Sequence, residues 1–357
     1  KFNLSQKYLP AASPDLGFMY NVNFMKTSGQ FRFSLSQYVE SDTYDINDLG
    51  YLQANNEFNH NLNFEYNFYD PFWKFLWWRN SITFWHQTLY SPRKFSEFGV
   101  ATSSRATFRN HLTVGFDVWV RPLDEHDYYE AREPGQVFIR PPEWSFNGFL
   151  SPDYRMAFIV DLNAGVERSN EYDQTSWSVE VSPRWRVNDR LSFRLRSEYD
   201  LSLNDIGYAD RFQTLESREI IFGRRGLQTV ENILQTTYIF TSKLALDFRL
   251  RHYWLQAEYD QYYELTKDGY LRDTDYNENN DFTYNAFNID MVVRWEFAPG
   301  SELALAWKNA ILTYNESDIT RRYFDNLRNT LDSPADNSLS VKLLYYLDYL
   351  YLQKRHH

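Results

Sequence analysis

The sequence predicts an all-β protein, an antiparallel up-and-down β-barrel of the membrane-spanning kind. Three observations predict it: side-chain character repeats with period two, the connections alternate between short and long, and the chain is rich in aromatics yet polar on average. Aromatic residues make up 19% of 357 residues, with 28 Tyr, 28 Phe and 11 Trp, while the mean hydropathy is −0.62. A soluble globule with this many rings would gather them in long apolar stretches. A membrane barrel instead puts apolar residues at every second position and rings its interfaces with Tyr and Trp, so its average stays low. No window approaches the ~18 uninterrupted apolar residues of a membrane-spanning helix.

The period is legible strand by strand. Phe58, Leu62, Phe64, Tyr66 and Phe68 alternate with Asn59, Asn61, Asn63, Glu65 and Asn67. Leu112, Val114, Phe116, Val118 and Val120 alternate with Asp117 and Arg121; Leu191, Phe193, Leu195 and Tyr199 with Arg194, Arg196 and Glu198. Leu244, Leu246, Phe248 and Leu250 alternate with Asp247, Arg249 and Arg251; Phe287, Ile289, Met291, Val293, Trp295 and Phe297 with Asn288, Asp290, Arg294 and Glu296. Such runs predict roughly fifteen strands: 16–27, 30–39, 57–69, 75–89, 97–108, 111–121, 137–150, 156–168, 174–187, 191–203, 228–241, 243–260, 283–298, 301–314 and 337–352. Short turns fall at Ser28-Gly29, Asp70-Pro71, Arg109-Asn110, Ser151-Pro152-Asp153, Asn188-Asp189-Arg190, Ser242 and Pro299-Gly300. Long connections fall at 40–56, 122–136, 204–227, 261–282 and 315–336, with shorter ones at 90–96 and 169–173. Tight turns on one rim and long loops on the other are the pattern of outer-membrane barrels.

The charged face carries Arg184, Arg186, Arg194, Arg196, Arg249, Arg251 and Arg294 with matching carboxylates. Burying them in a dry core would cost more than pairing returns, so they are expected to line water and the apolar face to meet lipid. A soluble sandwich would instead have strands of about five or six residues and no alternation in loop length. Such barrels close with an even number of strands. An odd count, with residues 1–15 read as the end of a loop because of Pro10 and Pro14, therefore predicts further strands upstream, and residues 1–357 are expected to be the C-terminal portion of one larger barrel domain. Lys1-Phe2-Asn3-Leu4 is no signal peptide, which predicts a processed or cut chain. The aromatic-ended last strand, with Tyr345, Tyr349 and Tyr351, resembles the signal read by barrel-assembly machinery.

Cysteine is absent, which excludes disulfide frameworks, thiolate metal sites and Cys nucleophiles. A net charge of −11 argues against nucleic acid as a partner. Three acidic loop clusters stand out: Glu40, Asp42, Asp45, Asn47 and Asp48; Asp124, Glu125, Asp127, Glu130 and Glu133; and Asp273, Asp275, Asn277, Glu278, Asn279 and Asp281. Hard oxygen ligands at alternate positions suit calcium, and Asp273, Asp275, Asn277 and Asp281 form the best candidate, although no Gly stands sixth and no Glu twelfth. A solvated external loop reads the same way. Arg218, Arg224 and Arg225 around Phe222-Gly-Arg-Arg-Gly226 could form an anion-binding constriction, or an arginine ladder neutralised by carboxylates such as Glu231. Trp73, Trp77, Trp78 and Trp85 with Phe72 and Phe75 are expected to girdle the tight-turn rim, whereas Tyr128, Tyr129, Trp144, Tyr262 and Tyr263 near outer loops could stack on glycans. Of seven His, only His126 and His252 look free for chemistry, with no Ser or Asp partner at a motif spacing; His356-His357 reads equally as a purification tag.

Glu40-Ser-Asp-Thr-Tyr-Asp-Ile-Asn-Asp-Leu-Gly50-Tyr-Leu, Phe222-Gly-Arg-Arg-Gly226, Leu250-Arg-His-Tyr-Trp254, Asp273-Thr-Asp-Tyr-Asn-Glu-Asn-Asn280, Phe297-Ala-Pro-Gly-Ser-Glu302 and Leu344-Tyr-Tyr-Leu-Asp-Tyr-Leu-Tyr-Leu352 resemble a family of Bacteroidota outer-membrane proteins. There a carbohydrate-binding family 9-like domain precedes a C-terminal barrel of unassigned function. The first reading is a non-enzymatic barrel in the bacterial outer membrane, serving as a channel or as a platform within an outer-membrane complex, linked to extracellular glycans. The resemblance supplies no catalytic residues. The partners implied are membrane lipid and lipopolysaccharide, glycans, and other outer-membrane proteins or surface lipoproteins. A surface glycan hydrolase with its chemistry in a missing N-terminal part or the outer loops, and a component of protein-export or barrel-assembly machinery, are the alternatives.

The period makes one direct prediction. Spin labels at Phe248 and Arg249 should report opposite environments, the first quenched by a lipid-soluble reagent and the second by a water-soluble one; equal quenching would contradict the two-faced strand.

Overall fold

The computed structural model describes residues 2–7, 15–47, 51–52, 54–213, 218–317 and 319–347. β1 (Phe2–Lys7), β2 (Asp15–Lys26), β3 (Phe31–Glu40), β4 (Glu57–Phe68), β5 (Phe75–Leu89), β6 (Phe95–Phe108) and β7 (Thr113–Arg121) pair in sequence order, each antiparallel to the last. The chain then leaves the sheet in a small ribbon of β8 (Glu125–Asp127) and β9 (Phe138–Arg140). It rejoins as β10 (Glu143–Ser151), paired to β7, and continues through β11 (Phe158–Ser169), β12 (Thr175–Arg186), β13 (Leu191–Gln213), β14 (Arg218–Thr241) and β15 (Leu244–Leu265). The short β16 (Leu271–Asp273) folds back on the end of β15. Beyond it β17 (Phe282–Ala298) pairs along β15, followed by β18 (Ser301–Glu316), helix α1 (Tyr323–Leu331) and β19 (Asp336–Leu344).

The outcome is all-β and antiparallel, as the period predicts. One sheet holds 17 strands, of which β16 only extends β15, so sixteen run across it. Among the described residues no pairing joins β1 to β19, and the sheet is open. Four expectations need correcting. Residues 2–7, expected as part of a loop, form β1 against β2. The segment 204–227, expected as a long loop, is mostly a continuation of β13 and β14, because Ile206, Tyr208, Ile220 and Phe222 keep alternating while shifts of register at Ser202/Asp205 and Tyr208/Asp210 absorb the surplus residues. The expected strand 137–150 is split, since Pro141-Pro142 cannot donate to a ladder. Finally, the loop 315–336 contains α1, which period-two reasoning could not see.

The sheet is strongly curved. Nine strand-to-strand steps separate β4 from β15, about 43 Å if flat at ~4.8 Å each. Yet the β7–β10 connection touches both: the Tyr129 hydroxyl donates to the Asn55 carbonyl at 2.6 Å, just before β4, and the Ile139 N–H to the Gly269 carbonyl at 2.9 Å, just beyond β15. Ten residues of chain reach at most ~35 Å fully extended, and this stretch contains turns. The wall must therefore bend toward the side on which the connection lies. At β7 that side is the charged one, because Glu125 in β8 is held by Arg121; at its far end the connection packs on Ile220 and Phe222 of the extended β14.

Exposure follows the bend. On β12, Trp177, Val179 and Val181 are 53%, 48% and 37% exposed, whereas Ser182, pointing to the concave side, is 2% exposed. Phe158 and Leu162 on β11, Leu195 and Tyr199 on β13 and Leu339, Val341 and Leu343 on β19 are likewise exposed on the apolar side. This is the reverse of a sheet whose apolar face packs on a core. At the tight-turn rim the same side carries the expected aromatic cluster, with Phe68, Phe72, Phe75, Trp78 and Phe108 in ring contact. Trp77 and Trp85 are not part of it: Trp77 stands opposite Thr107 with the Arg79 guanidinium 5.2 Å over its ring, and the Trp85 Nε1 donates to Glu97 at 2.7 Å beside Trp119 on the charged side.

At the β3–β4 connection Gly17 lies under Thr43 and Tyr44, whose backbone atoms would stand 2.3–2.5 Å from a Cβ. Gly17→Ala should therefore push this turn off β2, breaking the Thr43 hydroxyl bond to the Leu16 carbonyl, for roughly 1–3 kcal/mol. Amide hydrogen exchange over 41–47 should rise; unchanged protection would show that this turn does not depend on the absence of a side chain at Gly17.

Candidate functional site: the charged wall and the loop across its rim

The concave face is built from paired ions. Arg196 on β13 reaches Glu180, Glu198 and Glu231 at 2.9, 2.7 and 3.4 Å, and Arg251 on β15 shares Glu231 at 2.6 Å. Period two places these groups on one side, and the antiparallel register stacks them: Glu198 stands opposite Glu231, and Arg196 and Arg251 both stand opposite Ile233. Toward the long-loop rim Arg121 collects three carboxylates, Glu97 at 3.4 Å with Glu125 and Glu143 closer still. A guanidinium has five donors in a fixed fork against an ammonium's three, so it suits such a hub and fixes its geometry.

Residues 122–142 lie across the rim and are fastened by both ion pairs and apolar packing. Arg140 holds Asp127 at 3.0 Å, Arg211 of β13 holds Glu133 at 2.5 Å, and Glu130 accepts the Tyr208 N–H at 2.9 Å. Phe138 and Ala131 are buried against Ile206, Ile220, Phe222, Tyr263 and Leu265, with the Phe138 and Phe222 rings 4.5 Å apart. The extensions of β13 to β15 thus supply the wall of a small core that the loop fills. Burial and the nearby Glu57, Asp127 and Glu40 push the Tyr129 hydroxyl up to about 12, so it remains protonated and donates to Asn55 at any ordinary pH.

The sequence-predicted residues fall into place unevenly. The second acidic cluster is this loop's fastening: Glu125, Asp127, Glu130 and Glu133 are all engaged. Tyr128 donates to the Phe95 carbonyl at 2.9 Å and is tied to the scaffold, as is Tyr129. Trp144 is 40% exposed but stands on the apolar side, opposite Val120. In the first cluster Glu40 is buried and bonded by the Tyr38 hydroxyl, Asp45 accepts the Asn47 N–H at 2.9 Å, and Asp48 lies outside the described residues. Asp273 and Asp275 border a 520 Å³ depression with Glu219, Glu264 and Arg272, whereas Asp281 accepts the Tyr259 N–H at 2.6 Å. Among the described residues no three His, Asp or Glu side chains are gathered so as to hold a metal ion; Asp273, Asp275 and Asn277 share the depression, and Asp281 is not part of its lining.

Arg224 is engaged by Asp260 in a two-pronged pair at 2.9 and 3.0 Å, and Arg225 by Asp205 at 2.7 Å and the Tyr259 hydroxyl at 2.8 Å. Both match the neutralised-ladder alternative, with partners other than Glu231; the Arg218 side chain lies outside the described residues. His356 and His357 do too. His126 packs against Phe95 and Tyr128. His252 is not on the charged side, because it continues the row of Leu246, Phe248 and Leu250; it is buried under α1, where its Nδ1 meets the Tyr323 hydroxyl at 3.0 Å. Among the described residues, neither imidazole bonds a Ser or Asp side chain.

Sequence reasoning missed α1 and the docking role of Phe138. Beneath the helix Asn285 and Asn326 exchange amide hydrogen bonds at 2.5 and 3.2 Å, and the Asn232 amide donates to Tyr323 at 2.9 Å. The one available signal was Val137-Phe138-Ile139, an apolar run next to the paired prolines that the expected strand 137–150 absorbed.

Residues 1–356 match the model of the family described as Domain of unknown function (DUF5916), and the chain belongs to that family. No curated protein matches it.

Two substitutions probe the loop. Phe138→Ala should empty the small core at a cost of about 3–5 kcal/mol, and Arg121→Ala should leave three carboxylates facing one another at about 3–5 kcal/mol. Each should open 122–142 to limited proteolysis while leaving strand content by circular dichroism intact; protection equal to the wild type would show that neither contact secures the loop.

Proposed function

We propose that this member of the family is the wall of a bacterial outer-membrane β-barrel whose outer mouth is held shut by residues 122–142, and that it works as a closed platform for an outer-membrane complex. The observation that carries the reading is the inverted exposure: Trp177, Val179 and Val181 face outward while Arg196, Glu180 and Glu231 pair on the concave side. Apolar surface of this extent is stable only against another apolar phase, and strands cross a bilayer only when every backbone group is paired in the sheet. Sixteen strands is an even number, so β1 and β19 run antiparallel and can meet, directly or through further strands, to complete the barrel. The tight-turn rim with its Phe and Trp cluster faces the periplasm, and the long loops face outward.

A closed platform fits better than an open channel because Arg121, Arg196, Arg251 and Arg294 of the interior are already paired and the loop bridges the mouth. It also fits better than a hydrolase, since the candidate His residues are packed against rings and the carboxylates of the loop 122–142 serve as fastenings. A glycan link would rest on Tyr129, whose ring is half exposed. Trp144 suits an interfacial anchor better.

In planar bilayers the full-length protein should show no stepwise conductance, and shortening the loop between Leu123 and Pro141 to a Gly-Ser linker should produce steps. Steady conductance by the unmodified protein would overturn the closed reading.

A further inference from the structure

The apolar side of the wall is not smooth. Between β5 and β12 it carries a groove of about 690 Å³, within the volume range of pockets that hold a small-molecule ligand. Its floor is low because Gly148 and Ala164 stand opposite one another in the register, with Ala106 two strands away. Its sides are Phe116 and Phe146, their rings stacked 6.2 Å apart, with Val179, Leu162 and Trp78. The groove runs to the tight-turn rim, where Phe75 pairs with Phe108. Directly beyond these rings come Lys74 and Arg109, joined by the Arg109 N–H to Lys74 carbonyl bond at 2.9 Å. Lys74 Nζ lies 5.3 Å over the Trp73 ring and the Arg109 Nε donates to the Trp73 carbonyl at 2.9 Å, which leaves the terminal N–H groups of the guanidinium; among the described residues neither cation has a carboxylate within ion-pair distance, in contrast to Arg155 on the neighbouring turn, which is paired with Asp153 at 2.6 Å.

We propose that this groove seats one anionic phospholipid of the periplasmic leaflet, an acyl chain lying along Gly148 and Ala164 and the phosphate held at the rim by Lys74 and Arg109. The inference rests on the membrane reading above and adds a specific ligand site to it. Chain and headgroup are recognised separately. The recess removes apolar chain surface from contact with mobile neighbours, and the two cations supply the charge preference. A zwitterionic lipid can fill the same recess without gaining from the cations.

Native mass spectrometry of the full-length protein released from dodecyl maltoside, with phosphatidylglycerol or phosphatidylcholine added, tests the site. One phosphatidylglycerol should be retained at least fivefold more strongly than phosphatidylcholine. Lys74→Gln with Arg109→Gln should erase that preference while leaving a lipid adduct. Gly148→Leu should remove the adduct for both lipids; a Cβ there meets nothing nearer than 3.5 Å, so the strand accommodates it. Ala164→Leu serves as a second filling variant should the first fold poorly. Unchanged retention in a filled variant that shows wild-type strand content, competition by millimolar inorganic phosphate alone, or a dimer abolished by filling the groove would each overturn the proposal. Failure of the protein to enter detergent micelles or liposomes at all would instead sink the membrane reading beneath it.

Discussion

Everything in this molecule depends on an unbroken antiparallel ladder read through a period of two. Each interior strand gives its N–H and C=O groups to two neighbours, so the only choice left to the sequence is which side chains go to which face. The registers run without a shift from Leu191 to Ser202 against β14 and from Leu244 to Ala257 against β17. A slip of one residue anywhere in these stretches would exchange Phe248 for Arg249 on the outward face. Irregularities are tolerated where the two-face rule lapses, as at Ser202/Asp205 and Arg224/Arg225, near the long-loop rim.

On the concave face the sequence solves a problem of charge excess by sharing. The chain has more carboxylates than cations, and single guanidiniums serve several acids each: Arg121 serves three and Arg196 three. Pairs at a wetted surface contribute little stability individually, so these hubs fix geometry more than they add free energy. The loop over the rim divides the labour visibly. Its ion pairs set the docking position, and Phe138 against Phe222 supplies the apolar burial.

Much of the wall was legible in the sequence because alternation is a local signal that survives without knowledge of partners. Most predicted strand ends agree with the observed ones to within a few residues. What was not legible depended on tertiary context. Pro10 and Pro14 argued for a loop, yet the six residues before them pair with β2. The polar run from Asn204 looked like a loop because bulges interrupt its period. α1 is too short and too polar to announce itself. His252 was misplaced because its neighbours Arg251 and Tyr253 drew attention, although counting by twos from Leu246 puts it with the apolar row. For Arg224 and Arg225 the sequence left an anion site and a neutralised ladder both open, because the carboxylates that pair them, Asp260 and Asp205, are distant in sequence.

The helix between β18 and β19 has an inverted character of its own. It buries Asn326 and Thr330 against the wall and leaves Phe324 79% and Leu331 49% exposed. It sits on the convex side at the height where the apolar row of β15 turns mixed, with His252, Trp254 and Gln256 following Leu250, and its Tyr323 covers His252 and Trp254. In the proposed orientation this is where hydrocarbon ends and headgroups begin. A helix that shields His252 and turns a phenylalanine outward would act as a float line, fixing how deep the wall rides and resisting both sinking and lifting as bilayer thickness varies.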